Sequence, residues 1–233
     1  RLGAAVGKNN SICVIERGGY YLPIRDFSDD EMRMTRMLYT EGGLELSRGF
    51  DLKVLQGECV GGTTVINNAV CFRMPEVSQH EWGTFGVRAS DLDRHYDLVG
   101  NEINIQPLSD ISVNKIAESL FKDGVASHNQ SALGMGTLTP ASRNSGNFNN
   151  CIGCGLCNVA CKYMRKLSVL ETYIPWAQAS GVMVIPNVGG VQCETDNSPR
   201  KRITSVIVRK SSGELRKIKI RKALIVSAGA IAS

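Results

Sequence analysis

The chain has 233 residues, of which 42% are hydrophobic and 21% are charged, and its formal net charge is +5 at pH 7. This composition is ordinary for a folded globular chain and excludes the disordered and collagen-like classes. No stretch approaches the ~20 consecutive apolar residues that a membrane-spanning helix needs, so such a helix is excluded within these residues.

The first predicted element is a short apolar run at residues 12–15, which is followed by Glu16 and then by a pair of glycines. An apolar run between turn residues predicts a strand that is buried on both faces of a parallel sheet. An acidic residue at the carboxyl end of such a strand is where a dinucleotide fold binds the ribose hydroxyls of adenosine. Many strands also end in a surface glutamate, so Glu16 alone leaves both interpretations open.

The next feature is a double glycine, Gly61 and Gly62, which is followed directly by two threonines. A backbone of this kind can approach a ligand closely and present its N–H groups to it. The competing interpretation is a glycine-rich turn without a ligand. Further along, residues 89–93 predict the start of a helix, and the Gly-, Ser- and Asn-rich stretch at 131–150 predicts an insertion that carries loops.

Four closely spaced cysteines follow this insertion: Cys151, Cys154, Cys157 and Cys161. Bacterial ferredoxins use the same spacing for iron–sulfur clusters, although Lys162 stands where a proline usually follows. Zinc sites usually split their ligands into two separated pairs, which this run does not do. An iron–sulfur cluster, a zinc site and metal-free thiols or disulfides stay open, and a [4Fe–4S] cluster is narrowly preferred. The remaining cysteines are predicted to be core thiols: Cys13, Cys59, Cys71 and Cys193.

Regular elements return after the cysteines, with a predicted helix over residues 168–179, a buried strand over 182–185 and a hairpin formed by 203–209 and 215–221. Lysine and arginine alternate with isoleucine and valine along this hairpin, without aromatic residues that would stack on bases. A solvated sheet face is therefore favoured over a nucleic-acid surface. A last apolar run at 223–227 predicts a buried strand. The sum is an α/β fold with a small antiparallel addition.

The order of these motifs resembles the N-terminal part of the glucose-methanol-choline (GMC) family of FAD-dependent oxidoreductases. Residues 61–67 are similar to the family's first signature, and residues 166–177 are similar to the stretch that leads into the strand beside the adenine. Residues 227–233 are similar to the start of the second signature. The segment 76–150 matches only loosely.

The resemblance implies a Rossmann-like FAD-binding fold with an added antiparallel hairpin or meander and an inserted loop-rich region. The implied divisions are residues 1–75 for the first part of the FAD-binding domain, 76–150 for an insertion on the substrate side, and 151–233 for the cysteine-rich segment and the second part of the FAD-binding domain. The residues that the resemblance places at the flavin are Glu16, Gly61, Gly62, Thr63, Thr64, Asn67, Asn68, Ala69, Val70, Val191, Ala228 and Gly229.

The implied activity is the oxidation of a small-molecule alcohol to a carbonyl by an FAD-dependent alcohol oxidase or dehydrogenase, with hydride transfer to the flavin and an unspecified electron acceptor. The family's glycine-rich phosphate loop and catalytic histidine match no residues here. We therefore expect a fragment that is truncated at both ends and inactive alone, and we assign no catalytic residue. The chain's own histidines have no charged partner in sequence and are expected on the surface or in loops: His80, His95 and His128.

Ile66 stands where some relatives link a histidine to the flavin, so the resemblance implies a flavin that is not covalently bound. Two other functions stay open. One is a flavin and iron–sulfur electron-transfer subunit of a dehydrogenase complex, and the other is a non-catalytic binding module with a flavin fold. The compartment is not determined, although a reduced or metal-bound cysteine run would favour the cytoplasm.

Overall fold

The structure is a computed structural model, and it describes residues 10–107, 119, 123–124, 145–229, 231 and 233. Among these residues, the first strand is followed by five α-helices, a pair of strands, a sixth α-helix and then four consecutive strands. The α-helices are α1 (Pro23–Asp26), α2 (Glu31–Leu38), α3 (Thr63–Ile66), α4 (Glu76–Gly83), α5 (Ala89–Glu102) and α6 (Tyr173–Ala179). The strands are β1 (Cys13–Ile15), β2 (Ile105–Pro107), β3 (Ser145–Asn147), β4 (Met183–Ile185), β5 (Val188–Thr195), β6 (Ile203–Lys210) and β7 (Leu215–Lys219).

Strands β1 and β4 form a parallel pair in which Ile15 lies opposite Ile185, and the Glu16 N–H continues the ladder to the Ile185 carbonyl at 3.0 Å. A parallel pair needs a long crossover, and here it contains α1 to α6. The sequence predicted a strand buried on both faces, and this prediction is wrong for the described residues. Within them β1 pairs with β4 alone, and Cys13 and Val14 are exposed, so no packed layer covers these side chains.

The main core lies between α2 and the segments that carry the glycine turn and the cysteines. Asp30 caps α2, because its side chain accepts the Arg33 N–H at 2.9 Å. Met34 and Leu38 lie one helical turn apart on the same face, and both are fully buried. They pack with residues from the other segments, which include Cys59, Val60, Val65, Ile66, Val159, Ala160, Leu170 and Ile174.

Strands β5, β6 and β7 form an antiparallel meander. Val206 and Val208 point to the same side of β6 and are buried, and they pack with Ile218 and Ile220. On the β7 side the exposed Lys219 lies between Ile218 and Ile220, which is the alternation expected of a sheet with one wet face, whereas on β6 the residue between the two valines is the partly buried Ile207. Cys193 lies on β5 and is exposed, so the prediction of a core thiol is wrong there as well as at Cys13.

Two predicted elements of the second half differ from the structure. The helix predicted from residue 168 begins only at Tyr173. Residues 168–172 turn instead, and the Ser168 hydroxyl accepts the Leu170 N–H at 3.2 Å, a local bond that competes with helix formation. The apolar run 223–227 is not a strand, and Ile225 and Val226 are exposed. No described strand lies beside this run to satisfy its backbone groups.

The segment 76–150, which was predicted to be an insertion, contains α4, α5 and the antiparallel pair of β2 and β3. The helix start predicted at Ala89 agrees with α5. His80 and His95 are exposed on these helices, as predicted. His128 and residues 131–144 of the predicted loop stretch lie outside the described residues. Within the described part of the chain, no helix is long and apolar enough to span a membrane.

Candidate functional site

The double glycine forms a sharp turn that leads into α3. Gly61 has φ +100° and Gly62 has φ +56° with ψ −147°, which are conformations that favour glycine. A Cβ on Gly61 would lie 2.6 Å from Cγ2 of Val65, whereas a Cβ on Gly62 would meet no atom within 4 Å. Gly61 therefore packs into the core, and Gly62 faces open space that a ligand can enter.

The hydroxyl groups of the two threonines after the glycines bond to backbone groups and fix the turn. Oγ1 of Thr64 donates to the Gly61 carbonyl at 2.7 Å and accepts the Val169 N–H at 3.0 Å. Oγ1 of Thr63 accepts the Gly57 N–H at 3.1 Å. The side chain of Ile66 is buried in the core, with 4% of its surface exposed. The open side of the turn is therefore mainly backbone.

The segment after α3 forms a second tight turn. Oδ1 of Asn67 accepts the Ala69 N–H at 3.0 Å, and Ala69 has φ +59°. Such a turn is typical of an asparagine that bonds its own backbone two residues on. Ala69 is buried, and its carbonyl accepts the Asn147 N–H at 3.3 Å. Asn68 and Val70 consequently point outward.

Lys166 lies beneath this second turn with only 3% of its surface exposed. Its Nζ donates to the carbonyls of Val65 at 2.6 Å, Asn67 at 2.8 Å and Cys157 at 2.6 Å. Burial lowers the pKa of Lys166 to about 8, and the neighbouring thiols and Glu171 oppose that shift. The sequence analysis did not assign Lys166 a role. A lysine between a cysteine run and an apolar stretch carries no sequence signal that it is buried.

Glu16 lies at the carboxyl end of β1, as predicted. Its Oε1 accepts the Gly18 N–H at 2.8 Å. Burial raises the pKa of the Glu16 carboxyl, the bond from Gly18 opposes this, and the nearby charge of Glu58 adds to it. Glu58 pairs with Arg17 at 2.8 Å. The charge and the backbone N–H of Arg17 also oppose the effect of burial on the pKa of Glu16, while the guanidinium of Arg17 is paired with Glu58.

Glu16 and the glycine turn share one edge of the fold. Gly19 forms a parallel bridge with Cys59, and its carbonyl accepts the Val60 N–H at 2.9 Å. The approach is so close that a Cβ on Gly18 would lie 1.9 Å from the Glu58 carbonyl oxygen. The two segments identified separately in the sequence thus run side by side.

The remaining predicted flavin residues lie at the margins of this edge. A Cβ on Gly229 would lie 2.9 Å from Oε1 of Gln56, so the 228–229 turn is next to the strand-like segment that leads to the glycine turn. Ala228 donates its N–H to the Ser233 hydroxyl at 2.8 Å. Val191 is half exposed at an irregularity of β5. Its predicted contact with adenine stays a prediction.

The four clustered cysteines line one small cavity of about 30 Å³, together with Phe148, Leu156 and Lys166. The Gly153 N–H reaches Sγ of Cys151 at 3.4 Å, and the Arg165 N–H reaches Sγ of Cys161 at 3.3 Å. All four are free thiols. In the described part of the chain, no three Cys, His, Asp or Glu side chains are grouped closely enough to hold a metal ion. The arrangement therefore does not support a [4Fe–4S] cluster or a zinc site.

Comparison with known families decides the classification, since a family model described as GMC oxidoreductase matches residues 35–233. The chain belongs to the GMC oxidoreductase family. Proteins of this family generally bind FAD. The predicted family is thereby confirmed, and the glycine turn described above lies inside the matched region.

Individual GMC proteins are similar in sequence to this chain over part of their length. An uncharacterized GMC-type oxidoreductase of Mycobacterium tuberculosis is 28% identical over 186 residues, which cover 75% of this chain and 27% of that protein. A long-chain-alcohol oxidase of Arabidopsis thaliana is 22% identical over 199 residues, which cover 82% of this chain and 24% of that protein. The chain thus spans about a quarter of the length of these curated relatives.

A crystal structure of formate oxidase has the same fold. Its TM-score with the GMC chain is 0.51 at 11% sequence identity, and the match covers 97% of this chain and 42% of the other. At this identity the likeness concerns the fold alone. It supports a mixed helix-and-strand architecture of the kind found in the FAD-binding part of a GMC protein, whereas the detailed Rossmann layout stays a prediction.

Proposed function

We propose that this chain forms the adenosine and pyrophosphate side of the FAD site in an oxidoreductase that converts an alcohol to a carbonyl. The observation that carries the proposal is the shared edge of Glu16 and the Gly61-Gly62 turn, since these residues come from separate segments. A dinucleotide site needs both a ribose-binding carboxylate and a backbone that lets phosphate approach.

The residues fit FAD on two structural grounds. A side chain on Gly62 would enter open space, so the bare backbone there leaves room for a ligand. The carboxylate of Glu16 has one oxygen engaged by the Gly18 N–H and retains acceptor capacity for ribose hydroxyls. By the family resemblance, residues 67–70 would lie beside the isoalloxazine, and Ala228 and Gly229 would lie near the pyrophosphate.

When bound, FAD would supply the hydride acceptor, while the chain would bind and orient it. The substrate class we propose is a small-molecule primary or secondary alcohol. The long-chain-alcohol oxidase among the relatives supports an alcohol substrate in general, without fixing its chain length.

The direct test is to purify the full-length protein and measure its flavin content, then add alcohols anaerobically and follow bleaching of the flavin absorbance. We expect yellow protein that is reduced by at least one alcohol. Protein that contains no flavin and does not take up added FAD would exclude the proposal. Flavin that binds but is reduced by no alcohol would leave a binding module.

The same preparation tests the mode of flavin attachment. Because Ile66 offers no nucleophile and its side chain is buried away from the open side of the turn, we expect acid precipitation to release the flavin into the supernatant. Flavin that stays with the protein pellet would show that another residue makes a covalent bond.

A further inference from the structure

We propose that Lys166 is a positioning residue for the flavin, because it fixes the turn at residues 67–70 and ties it to the cysteine-rich segment. The inference rests on the proposed FAD site and deepens it. Lys166 would act through the backbone that it holds rather than by contacting the substrate or the cofactor.

Each of the three N–H donors of the Lys166 ammonium group can be matched to a carbonyl partner. An ammonium group has three N–H donors and no acceptor, and Nζ of Lys166 has three carbonyl partners at 2.6 to 2.8 Å. Bonds from a charged donor are stronger than neutral ones. A buried, fully satisfied ammonium of this kind holds its partners in one geometry, since moving any of them leaves a charge or a carbonyl without a bond.

Two of the three carbonyls belong to the end of α3, where Val65 and Asn67 lie. The last carbonyls of a helix have no partner within it, and α3 has only one turn. Lys166 supplies the missing donors. The chain then passes directly into the turn that points Asn68 and Val70 outward, so the lysine sets where that turn begins.

The third carbonyl belongs to Cys157, which lies in the cysteine-rich segment. A single ammonium therefore joins the glycine-turn region and the cysteine-rich segment at one point. The three hydrogen-bonded partners are neutral carbonyls, and the nearby carboxylate of Glu171 interacts with the ammonium through space without being one of them. A fixed positive charge near a flavin stabilises the negative charge that reduction places on it and raises its reduction potential.

A purely structural lysine would affect stability alone, so the test uses readouts that belong to the flavin. In the full-length protein, Lys166→Met keeps the length of the side chain and removes the charge and all three donors. Lys162→Met is the matched control, because Lys162 lies four residues earlier and its ammonium pairs with Asp29 at the surface.

We expect Lys166→Met to speed amide hydrogen exchange at residues 67–70 of the flavin-free protein by about tenfold. We expect FAD affinity to fall by about tenfold to a hundredfold, as for buried carbonyls that lose their donors, and the flavin potential to shift downward. Lys162→Met should leave all three unchanged. If Lys166→Met does not fold, Lys166→Gln replaces it, since an amide keeps two donors but no charge, and its potential should still fall.

The outcomes separate this inference from the proposed function. Wild-type protein that binds no FAD would remove the proposed site itself. Wild-type protein that binds FAD, with a variant whose exchange, affinity and potential match wild type, would overturn the inference alone. A variant that loses only thermal stability would also overturn it, because Lys166 would then be a structural residue without influence on the flavin.

Discussion

The glycine-turn region and the β5–β7 meander of this GMC chain are stabilised by different kinds of interaction. In the glycine-turn region, the buried residues include polar groups whose bonds fix irregular backbone: Asn147, Lys166, Ser168 and Thr172. In the meander, Val206 and Val208 form a small apolar core under strands whose β6–β7 ladder is regular, and Ser205 is the polar side chain buried with them.

This difference bears on how each region tolerates change. A regular ladder satisfies its backbone groups by itself, so its side chains need only alternate between the core and water. Irregular backbone depends on particular glycines and side-chain donors, and the loss of one leaves a group unpaired. The binding surface lies in the irregular region, which is consistent with the general placement of ligand contacts on loops held by a scaffold.

The largest effect should come from the core beneath the glycine turn. Leu38→Ala removes a fully buried side chain from a cluster that several segments share, and we expect a loss of about 2–5 kcal/mol in the free energy of unfolding. Val208→Ala in the meander should cost about 1–3 kcal/mol, since fewer buried carbons are lost. Denaturant titration of the full-length protein measures both. Equal losses would mean that the two cores contribute alike.

The next largest effect should be a loss of FAD affinity. Glu16→Ala should weaken FAD binding by about 1.5–3 kcal/mol, the range for losing a hydrogen bond to a charged group. Glu58→Ala is the control, because that carboxylate is engaged by Arg17 in an exposed pair. Titration of flavin-free full-length protein with FAD gives both constants. An unchanged constant for Glu16→Ala would place the ribose contact elsewhere.

Folding stability and FAD affinity should depend on pH in opposite directions at Glu16. Burial raises the pKa of Glu16 above its value in the unfolded chain, so the folded state favours the neutral acid. The contribution of Glu16 to folding stability is therefore fully present below the pKa of the unfolded chain. It is lost as the pH rises through the higher pKa of the folded state. FAD affinity should move the other way and weaken in acid, because a protonated carboxyl accepts fewer ribose bonds. Glu16→Ala should flatten the affinity profile.

The sequence predicted the parts of the fold that depend on short patterns. Alternation indicated β6 and β7, and the glycine pair indicated the turn. Burial was predicted poorly where it depends on distant neighbours: Val14 and Ile225 stand in apolar runs, yet no described strand covers them on the open side. Lys166 could not be predicted either, because its three carbonyl partners become neighbours only after the chain folds.

A smaller difference in stability is expected between alanine substitutions at two glycines, one in the glycine turn and one in the meander. Gly61→Ala meets Val65 at 2.6 Å and adopts φ +100°, so we expect a loss of about 1–3 kcal/mol, the cost of one strained residue. Gly190→Ala lies in β5, where an added Cβ meets no atom within 4 Å, and it should change stability by no more than about 0.5 kcal/mol. Thermal unfolding of the two full-length variants compares them. A costly Gly190→Ala would contradict the tolerance attributed to the meander.

The smallest perturbation is alkylation of single thiols, which compares Cys59 beneath the glycine turn with Cys193 on the meander. Cys59 has 1% of its surface exposed, and burial raises the pKa of its thiol to about 12. The thiolate is the reactive form, so we expect Cys59 to resist iodoacetamide until the protein unfolds, while Cys193 reacts at once. Mass spectrometry of peptides from the native full-length protein, sampled over time, gives the rates.

Cys154 provides the control for the cysteine-rich segment in that experiment. It is an exposed free thiol, and no described group of side chains around it is arranged to hold a metal ion, so it should react as Cys193 does. If Cys154 is protected in an anaerobic sample that also contains iron and sulfide, the thiols hold a cluster after all. Protection would then come from metal ligation rather than from burial. Fast labelling of Cys154 with slow labelling of Cys59 would leave burial as the cause of every difference in thiol reactivity.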